Sequence, residues 1–158
     1  MRSKNEIVQD LIKYLAEDVN LKSMIFNIDE IKNKIDAENK GPYQNVFLQE
    51  LEYMNFLLIE IVRSMDEIDQ GFRGILTISE QMESIIDAIA LNRVPNVWVA
   101  LAYSSKRGLA SWLTNLIKRI EQLNLFRDDP YAIPKVTMIG RFFNPQSFLT
   151  AIKQVIGR

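Results

Sequence analysis

Apolar residues recur at helical spacing along most of the chain. The strongest pattern steps by four and three residues through the middle of the sequence: Phe47, Leu51, Met54, Leu58, Ile61, Met65 and Ile68. Such a stripe predicts a long amphipathic helix with one buried face. Phe56, Leu57 and Ile59 widen the apolar surface beyond a single seam. We therefore expect this helix to pack in a bundle against at least two neighbours rather than in a coiled coil.

Capping residues set the expected helix boundaries. A Ser, Thr or Asn placed three positions before a glutamate predicts a helix N-terminus. Three such pairs occur: Ser3 with Glu6, Asn27 with Glu30, and Thr77 with Glu80. The helix after Asn27 is expected to end near Glu38, before Gly41 and Pro42, while Pro42 itself can open the long helix. The long helix is expected to end near Gln70, before two glycines.

The remaining sequence completes an all-α prediction. Shorter helices are expected at residues 97–101 and 109–123, and a last helix begins after Asn144, with Pro145 at its first position. Residues 135–139 form the one stretch with strand character. The fold class predicted is a multi-helix bundle of about six or seven helices with one short isolated strand near 135–139. That strand needs a partner, and the sequence supplies none.

Charge is unevenly distributed along the chain, although the total is only −1. Residues 41–90 hold two basic and nine acidic side chains, and residues 91–158 hold ten basic and three acidic ones. Opposed blocks of this kind suggest faces that attract each other or different neighbours. The basic block contains a candidate docking face formed by Lys106, Arg107, Lys118 and Arg119.

Composition excludes several classes of active site. The chain has no His and no Cys, which rules out Ser-His-Asp catalysis, thiolate nucleophiles and Cys/His zinc sites. It has no Gly-Lys pair, which rules out a Walker A phosphate loop. Glu50 and Glu52 are two residues apart and do not face each other on a helix, which argues against a carboxylate pair. The sequence thus predicts no catalytic, cofactor-binding or metal-ligating residues.

The same features limit the expected partners. A net charge near zero disfavours nucleic acid, and no apolar run reaches the roughly 20 residues of a membrane span. Trp98 and Trp112 fall at apolar helix positions, so we expect them in the core. Taken alone, the residues describe a helical structural or interaction domain. One version is a free-standing adaptor that binds an acidic or amphipathic protein through basic residues 91–158.

Three segments match recognisable motifs: residues 142–150 resemble F-F-x-P-Q-x-F-L-T, residues 94–105 resemble V-P-x-x-W…Y-P-S, and residues 109–119 resemble L-x-x-W-x-x-x-L-x-x-R. In this order, these motifs resemble the C-terminal region of dynein heavy chains. Upstream, Gln49, Glu50, Asn55 and the pair Ser79-Glu80 also follow the family pattern. The residues carrying the C-terminal motifs are Trp98, Tyr103, Trp112, Phe142, Phe143, Asn144, Pro145, Gln146, Phe148, Leu149 and Thr150. Ser104 and Arg141 depart from the pattern, where the family usually has Pro and Gly.

The resemblance implies a noncatalytic part of an ATP-driven, minus-end-directed microtubule motor. Residues 1–40 would end the small subdomain of the sixth AAA module, and residues 41–158 would begin the helical C-terminal region. ATP and Mg would bind in other AAA modules, which would also be the direct partners of this segment. Microtubules would be contacted only through the parent motor. The sequence Asn-Pro-Gln-Ser resembles axonemal members of the family. This resemblance implies a location in the cytoplasm and cytoskeleton, in the axoneme of a cilium or flagellum.

Overall fold

Helices make up most of the described residues. The computed structural model describes residues 2–35, 41–131, 143–146 and 150–151. Six α-helices follow one another in these residues: α1 Lys4–Lys13, α2 Ile28–Lys34, α3 Pro42–Phe72, α4 Glu80–Ala90, α5 Asn96–Val99 and α6 Leu109–Asp128. A π-helical turn at Tyr14–Asp18 and a 3-10 turn at Leu21–Met24 lie between α1 and α2. The predicted all-α class is confirmed for this part of the sequence, and the strand expected near 135–139 lies outside it.

The chain divides into two compact units. Unit 1 comprises Met1–Ile25 and Phe56–Leu113, and unit 2 comprises Phe26–Asn55 and Thr114–Arg158. In unit 1, α1 packs against α4. In unit 2, an aromatic pair from α3 and α6 stacks with ring centroids 4.3 Å apart.

Apolar side chains bury one face of α3, as its sequence predicts. All seven residues of the predicted stripe are buried, and so is Leu57. Phe56 and Ile59, which were expected to widen the buried surface, are instead 59% and 51% exposed. The seam prediction is therefore confirmed, whereas the predicted burial of these two side chains is wrong.

The first two predicted N-termini are confirmed by their caps. Ser3 Oγ accepts a hydrogen bond from the Glu6 N–H, and Asn27 Oδ1 accepts one from the Glu30 N–H, both at 3.2 Å. The expected end of α2 near Glu38 is wrong, since Ile35 is already extended (φ −92°, ψ 115°). Ile35 is buried, and its packing outweighs the weak preference of the preceding polar residues for continuing the helix.

The N-cap of α4 is Ser79 and not Thr77. Ser79 Oγ accepts a hydrogen bond from the Met82 N–H at 3.2 Å, and the Ser79 N–H donates to Met82 Sδ at 3.4 Å. The sulfur therefore takes the role that a glutamate side chain has in an ordinary capping box. A sequence pattern that requires an acidic residue at the third position misses this arrangement.

Gly74, rather than Gly71, terminates α3. Gly74 has a left-handed backbone (φ +77°), and the Ile75 N–H donates to the Gln70 carbonyl at 2.9 Å, which is the Schellman arrangement of a helix C-terminus. Gly71 lies inside the last turn, where a Cβ would lie 2.9 Å from Ile78 Cγ1. Its lack of a side chain allows this close packing. The helix ends at Phe72, two residues beyond the expected Gln70.

Leu58 and its neighbour Ile59 offer a matched test of which face of α3 is buried. Replacing fully buried Leu58 with Ala should lower the free energy of unfolding by about 2–5 kcal/mol, because it removes packing and leaves a cavity. Ile59→Ala, at the half-exposed position, should change it by less than about 1 kcal/mol. Urea denaturation of both variants measures the difference. An effect of Leu58→Ala below about 0.5 kcal/mol would contradict the packing described.

Candidate functional site

Three aromatic residues of the sequence motifs form a stack inside unit 1. The ring centroids of Trp98 and Trp112 are 6.1 Å apart, and those of Tyr103 and Trp112 are 6.0 Å apart. All three side chains are buried, and Trp98 Nε1 donates to Ser64 Oγ at 3.3 Å. The two tryptophans are core residues, as expected from their positions on the apolar helix faces.

Asn92 fixes the start of the helix that carries Trp112. Its backbone carbonyl accepts a hydrogen bond from the Leu109 N–H, and its side-chain Oδ1 accepts one from the Ala110 N–H, both at 3.0 Å. These bonds satisfy two of the N–H groups that the first turn of a helix leaves without partners. Gly108 is needed beside them, because a Cβ there would lie 2.8 Å from Asn92 Nδ2. From the sequence, Asn92 is predicted only to be part of a helix break.

A buried carboxylate holds the Phe-Asn-Pro segment in unit 2. Glu50, in α3, is 1% exposed. Its Oε2 accepts a hydrogen bond from the Phe143 N–H at 2.7 Å, and its Oε1 accepts one from the Asn144 N–H at 2.9 Å. The ring of Phe143 also contacts Tyr53, one helical turn along α3, with centroids 5.8 Å apart. We call the carboxylate of Glu50 with these two amides the Glu50 clamp.

Burial raises the pKa of Glu50 above its ordinary value of 4.5. The low polarity around the carboxyl disfavours its charged form, while the two backbone N–H donors and the positive charge of Arg119 oppose that effect. Burial is the largest of these influences. Burial therefore disfavours the charged form of the clamp, and its specific partners offset part of that cost.

A second polar side chain of α3 holds backbone in the same unit. Asn55 Oδ1 accepts a hydrogen bond from the Phe26 N–H, and Asn55 Nδ2 donates to the Phe26 carbonyl, both at 2.9 Å. The amide therefore satisfies both backbone polar groups of Phe26. Glu50 and Asn55 belong to the segment that resembles the family upstream, and both act by fixing backbone.

One residue of the candidate docking face is buried. Arg119 is only 9% exposed, and its Nε donates to Asn115 Oδ1 at 2.7 Å. It follows Leu116 by three positions, which places it on the buried face of α6, and this spacing could have excluded it from an exposed set. Lys106, Arg107 and Lys118 are exposed, and a docking role for them stays a prediction.

The described remainder of the C-terminal motif begins a helix as predicted. Residues 145–146 and 150–151 are helical, and Thr150 Oγ1 donates to the Gln146 carbonyl at 3.0 Å. Pro145 is half-buried, and Gln146 is exposed. Phe142, Phe148 and Leu149, which the motif also includes, lie outside the described residues.

Neither a metal-binding cluster nor a membrane-spanning helix is found among the described residues. No three acidic side chains come together there as a metal site would require. None of the described helices combines the length and the hydropathy needed to cross a bilayer.

Comparison with known proteins identifies the family. A family model described as the C-terminal domain of the dynein heavy chain matches residues 1–158. The protein belongs to this dynein family. The match over the whole sequence agrees with the resemblance of its motifs and does not favour a free-standing adaptor.

Individual dynein heavy chains are similar over nearly the whole sequence. The chain is 45% identical over 152 residues to dynein axonemal heavy chain 17 of Mus musculus and 42% identical over 152 residues to the ciliary dynein beta chain of Tripneustes gratilla. Each alignment covers 96% of this chain and 3% of the relative. The flagellar outer arm dynein beta chain of Chlamydomonas reinhardtii is 42% identical over 135 residues, which is 85% of this chain and 3% of that protein. This dynein segment thus spans a small fraction of the length of its relatives.

Replacing one acceptor oxygen of the clamp with an amide group should destabilise the dynein segment. In Glu50→Gln one acceptor oxygen faces two N–H donors, which leaves a buried donor without a partner, and the free energy of unfolding should fall by about 1–3 kcal/mol. Glu52→Gln is the matched control, because its exposed carboxylate lies 3.8 Å from Lys32 Nζ and should contribute less than about 1 kcal/mol.

Hydrogen exchange tests whether this loss arises at the clamp. The amides of Phe143 and Asn144 should exchange faster in Glu50→Gln and at the wild-type rate in Glu52→Gln. Equal exchange of these two amides in the wild type and Glu50→Gln would refute the clamp.

The raised pKa of Glu50 predicts a pH dependence with a definite sign. Above pH 4.5 the folded state retains the proton of this carboxyl more than the unfolded state does, so stability contributed by Glu50 falls as pH rises through its folded pKa. The unfolding free energy of the wild type minus that of Glu50→Gln should therefore increase as pH decreases from 7 toward 4.5. Denaturation series at several pH values measure it. A difference that shrinks over that range contradicts the assignment.

Proposed function

We propose that this chain is a noncatalytic structural segment of an axonemal dynein heavy chain. The family match over residues 1–158 is the observation that carries the proposal. The ciliary, flagellar and axonemal names of its relatives support a location in the axoneme of a cilium or flagellum. The parent protein would be a minus-end-directed microtubule motor, with ATP and Mg bound in other modules of its AAA ring.

The roles of the motif residues support a structural rather than a chemical task. Trp98, Tyr103 and Trp112 build a buried aromatic stack, and Glu50 fixes the backbone of Phe143. These contacts organise the segment itself. In the proposed structural role, they hold the surface of the segment in position for contact with other parts of the heavy chain.

Exposed apolar side chains on α3 support contact with neighbouring modules. Phe56 and Ile59 lie three positions apart on the same side of the helix, and both are more than half exposed. Large apolar side chains that share an exposed face are typical of interaction surfaces. Other AAA modules of the same heavy chain would cover them, and microtubules would be reached only through the parent motor.

The internal division expected from the resemblance also remains a proposal. Residues 1–40 would complete the sixth AAA module, and residues 41–158 would open the helical C-terminal region. The exposed basic residues Lys106, Arg107 and Lys118 would add a second, charged docking surface.

A double substitution tests the framework role. Phe56→Ser with Ile59→Ser should change the unfolding free energy of the 158-residue chain by less than about 1 kcal/mol, because both side chains are exposed there. In the parent heavy chain the same change should lower the unfolding temperature of the motor and its microtubule gliding velocity, because contacts to neighbouring modules are lost. The exposed Tyr14→Ser is a control of similar size.

The outcome separates the framework from its alternatives. A parent motor with unchanged stability and velocity would contradict docking through α3. ATP turnover by the 158-residue chain above that of a preparation of a Walker-mutant motor would contradict the noncatalytic assignment.

A further inference from the structure

The backbone between α1 and α2 departs from α-helical geometry three times within eleven residues. The π-helical turn Tyr14–Asp18 is followed by Asn20 in the left-handed conformation (φ 51°) and by the 3-10 turn Leu21–Met24. Single π turns inside helices and left-handed non-glycine residues are both uncommon, and both are concentrated at functional sites. Apolar residues keep helical spacing from Ile7 to Val19, so the sequence pattern does not indicate this interruption.

A cavity of about 250 Å³ lies against this segment within unit 1. Four buried apolar side chains form part of its wall: Leu15, Leu21, Ile61 and Met65. The first two come from the irregular segment and the other two from α3. The irregular backbone therefore forms one wall of the cavity, so the two observations concern the same place.

The size and lining of the cavity define the class of ligand. An apolar cavity of about 150 Å³ in another protein stays dry and binds benzene, so this volume suits a molecule of one or two rings. Wall atoms that face an empty space lose the dispersion contacts that a ligand would supply. The favourable interaction here is contact with apolar surface rather than hydrogen bonding.

One Lys and two Asp line the cavity, and an Arg beside it pairs with the second Asp. Lys22 and Asp66 contribute opposite charges, and Asp66 accepts a hydrogen bond from Gln70 Nε2 at 2.8 Å. The third charged residue, Asp69, is paired with Arg73, with Oδ2 and Nε 3.1 Å apart. With no net charge beside the cavity, neither a cationic nor an anionic ligand gains a general electrostatic advantage.

We propose that this cavity is a binding site for a small, uncharged and largely apolar molecule of one or two rings. The ligand occupies the space between the irregular segment Tyr14–Met24 and the second half of α3. This site is separate from the Glu50 clamp and does not depend on the proposed function in a motor.

Methyl NMR spectroscopy of the 158-residue chain tests the site directly. Benzyl alcohol and indole are the neutral probes, and benzylamine and benzoate supply the same single ring with a positive or a negative charge. We expect saturable shifts of the Leu15, Leu21 and Ile61 methyl signals with both neutral probes. The two charged compounds should bind no more tightly than benzyl alcohol.

Two substitutions with matched controls locate the binding. Val62→Phe adds a ring to the lining, and Ala16→Leu enlarges an exposed lining position, where the added side chain should leave folding intact. Each should weaken binding of indole by about tenfold or more. Val99→Phe and Ala100→Leu make the same changes at exposed positions that do not line the cavity, and should leave binding unchanged.

Defined results would overturn the proposal. The cavity is not a site if neither neutral probe produces saturable shifts at the three methyl groups, or if both lining variants bind indole as the wild type does. The ligand class is wrong if benzylamine or benzoate binds about tenfold more tightly than benzyl alcohol. Should Val62→Phe fail to fold, Ala16→Leu with its control Ala100→Leu decides between these results.

Discussion

The carboxylate of Glu50 is the constraint on which unit 2 most depends. Taking a charge out of water costs several kcal/mol unless nearby groups compensate for the lost hydration. Here both oxygens accept backbone N–H groups from a segment 93 and 94 residues away, and Arg119 adds a positive charge. Burial still raises the pKa of Glu50, so these partners together offset only part of the cost. Loss of the start of the last helix or of the neighbouring part of α6 would remove some of this compensation, which favours the arrangement in which both are in place.

The parts of this structure that follow from local spacing could be predicted from the sequence. The α3 stripe was identified completely, because helical periodicity depends only on residues three and four positions apart. Two of three N-caps were also correct for the same reason. The prediction of Thr77 as the N-cap of α4 was wrong, because Ser79 caps this helix and a methionine sulfur takes the place of the glutamate. Local rules thus gave most of the helices but missed the methionine cap, the early end of α2 and the irregular turns that follow α1.

The polar contacts that organise the fold could not be predicted in this way. Asn55 binds backbone 29 residues away, and Asn92 caps a helix that begins 17 residues later. Asparagine is common on protein surfaces, so the residue type gives no sign of these contacts. Only the folded protein shows which backbone groups each side chain binds. Arg119 is different, since its position three residues after Leu116 already placed it on the buried face of α6. The strand expected near 135–139 and three motif residues lie outside the described part of the sequence, so those predictions stay as they were.

Four consecutive apolar residues of α3 divide into a buried pair and an exposed pair. Leu57 and Leu58 are fully buried, so they contribute to the core of unit 1. Phe56 and Ile59, directly beside them in sequence, remain more than half exposed. Polar residues at those two positions would leave the buried seam intact, so the core does not account for their apolar character. The proposed contact with another part of a dynein heavy chain would account for it, because burial there would add apolar area without altering the packing inside the segment.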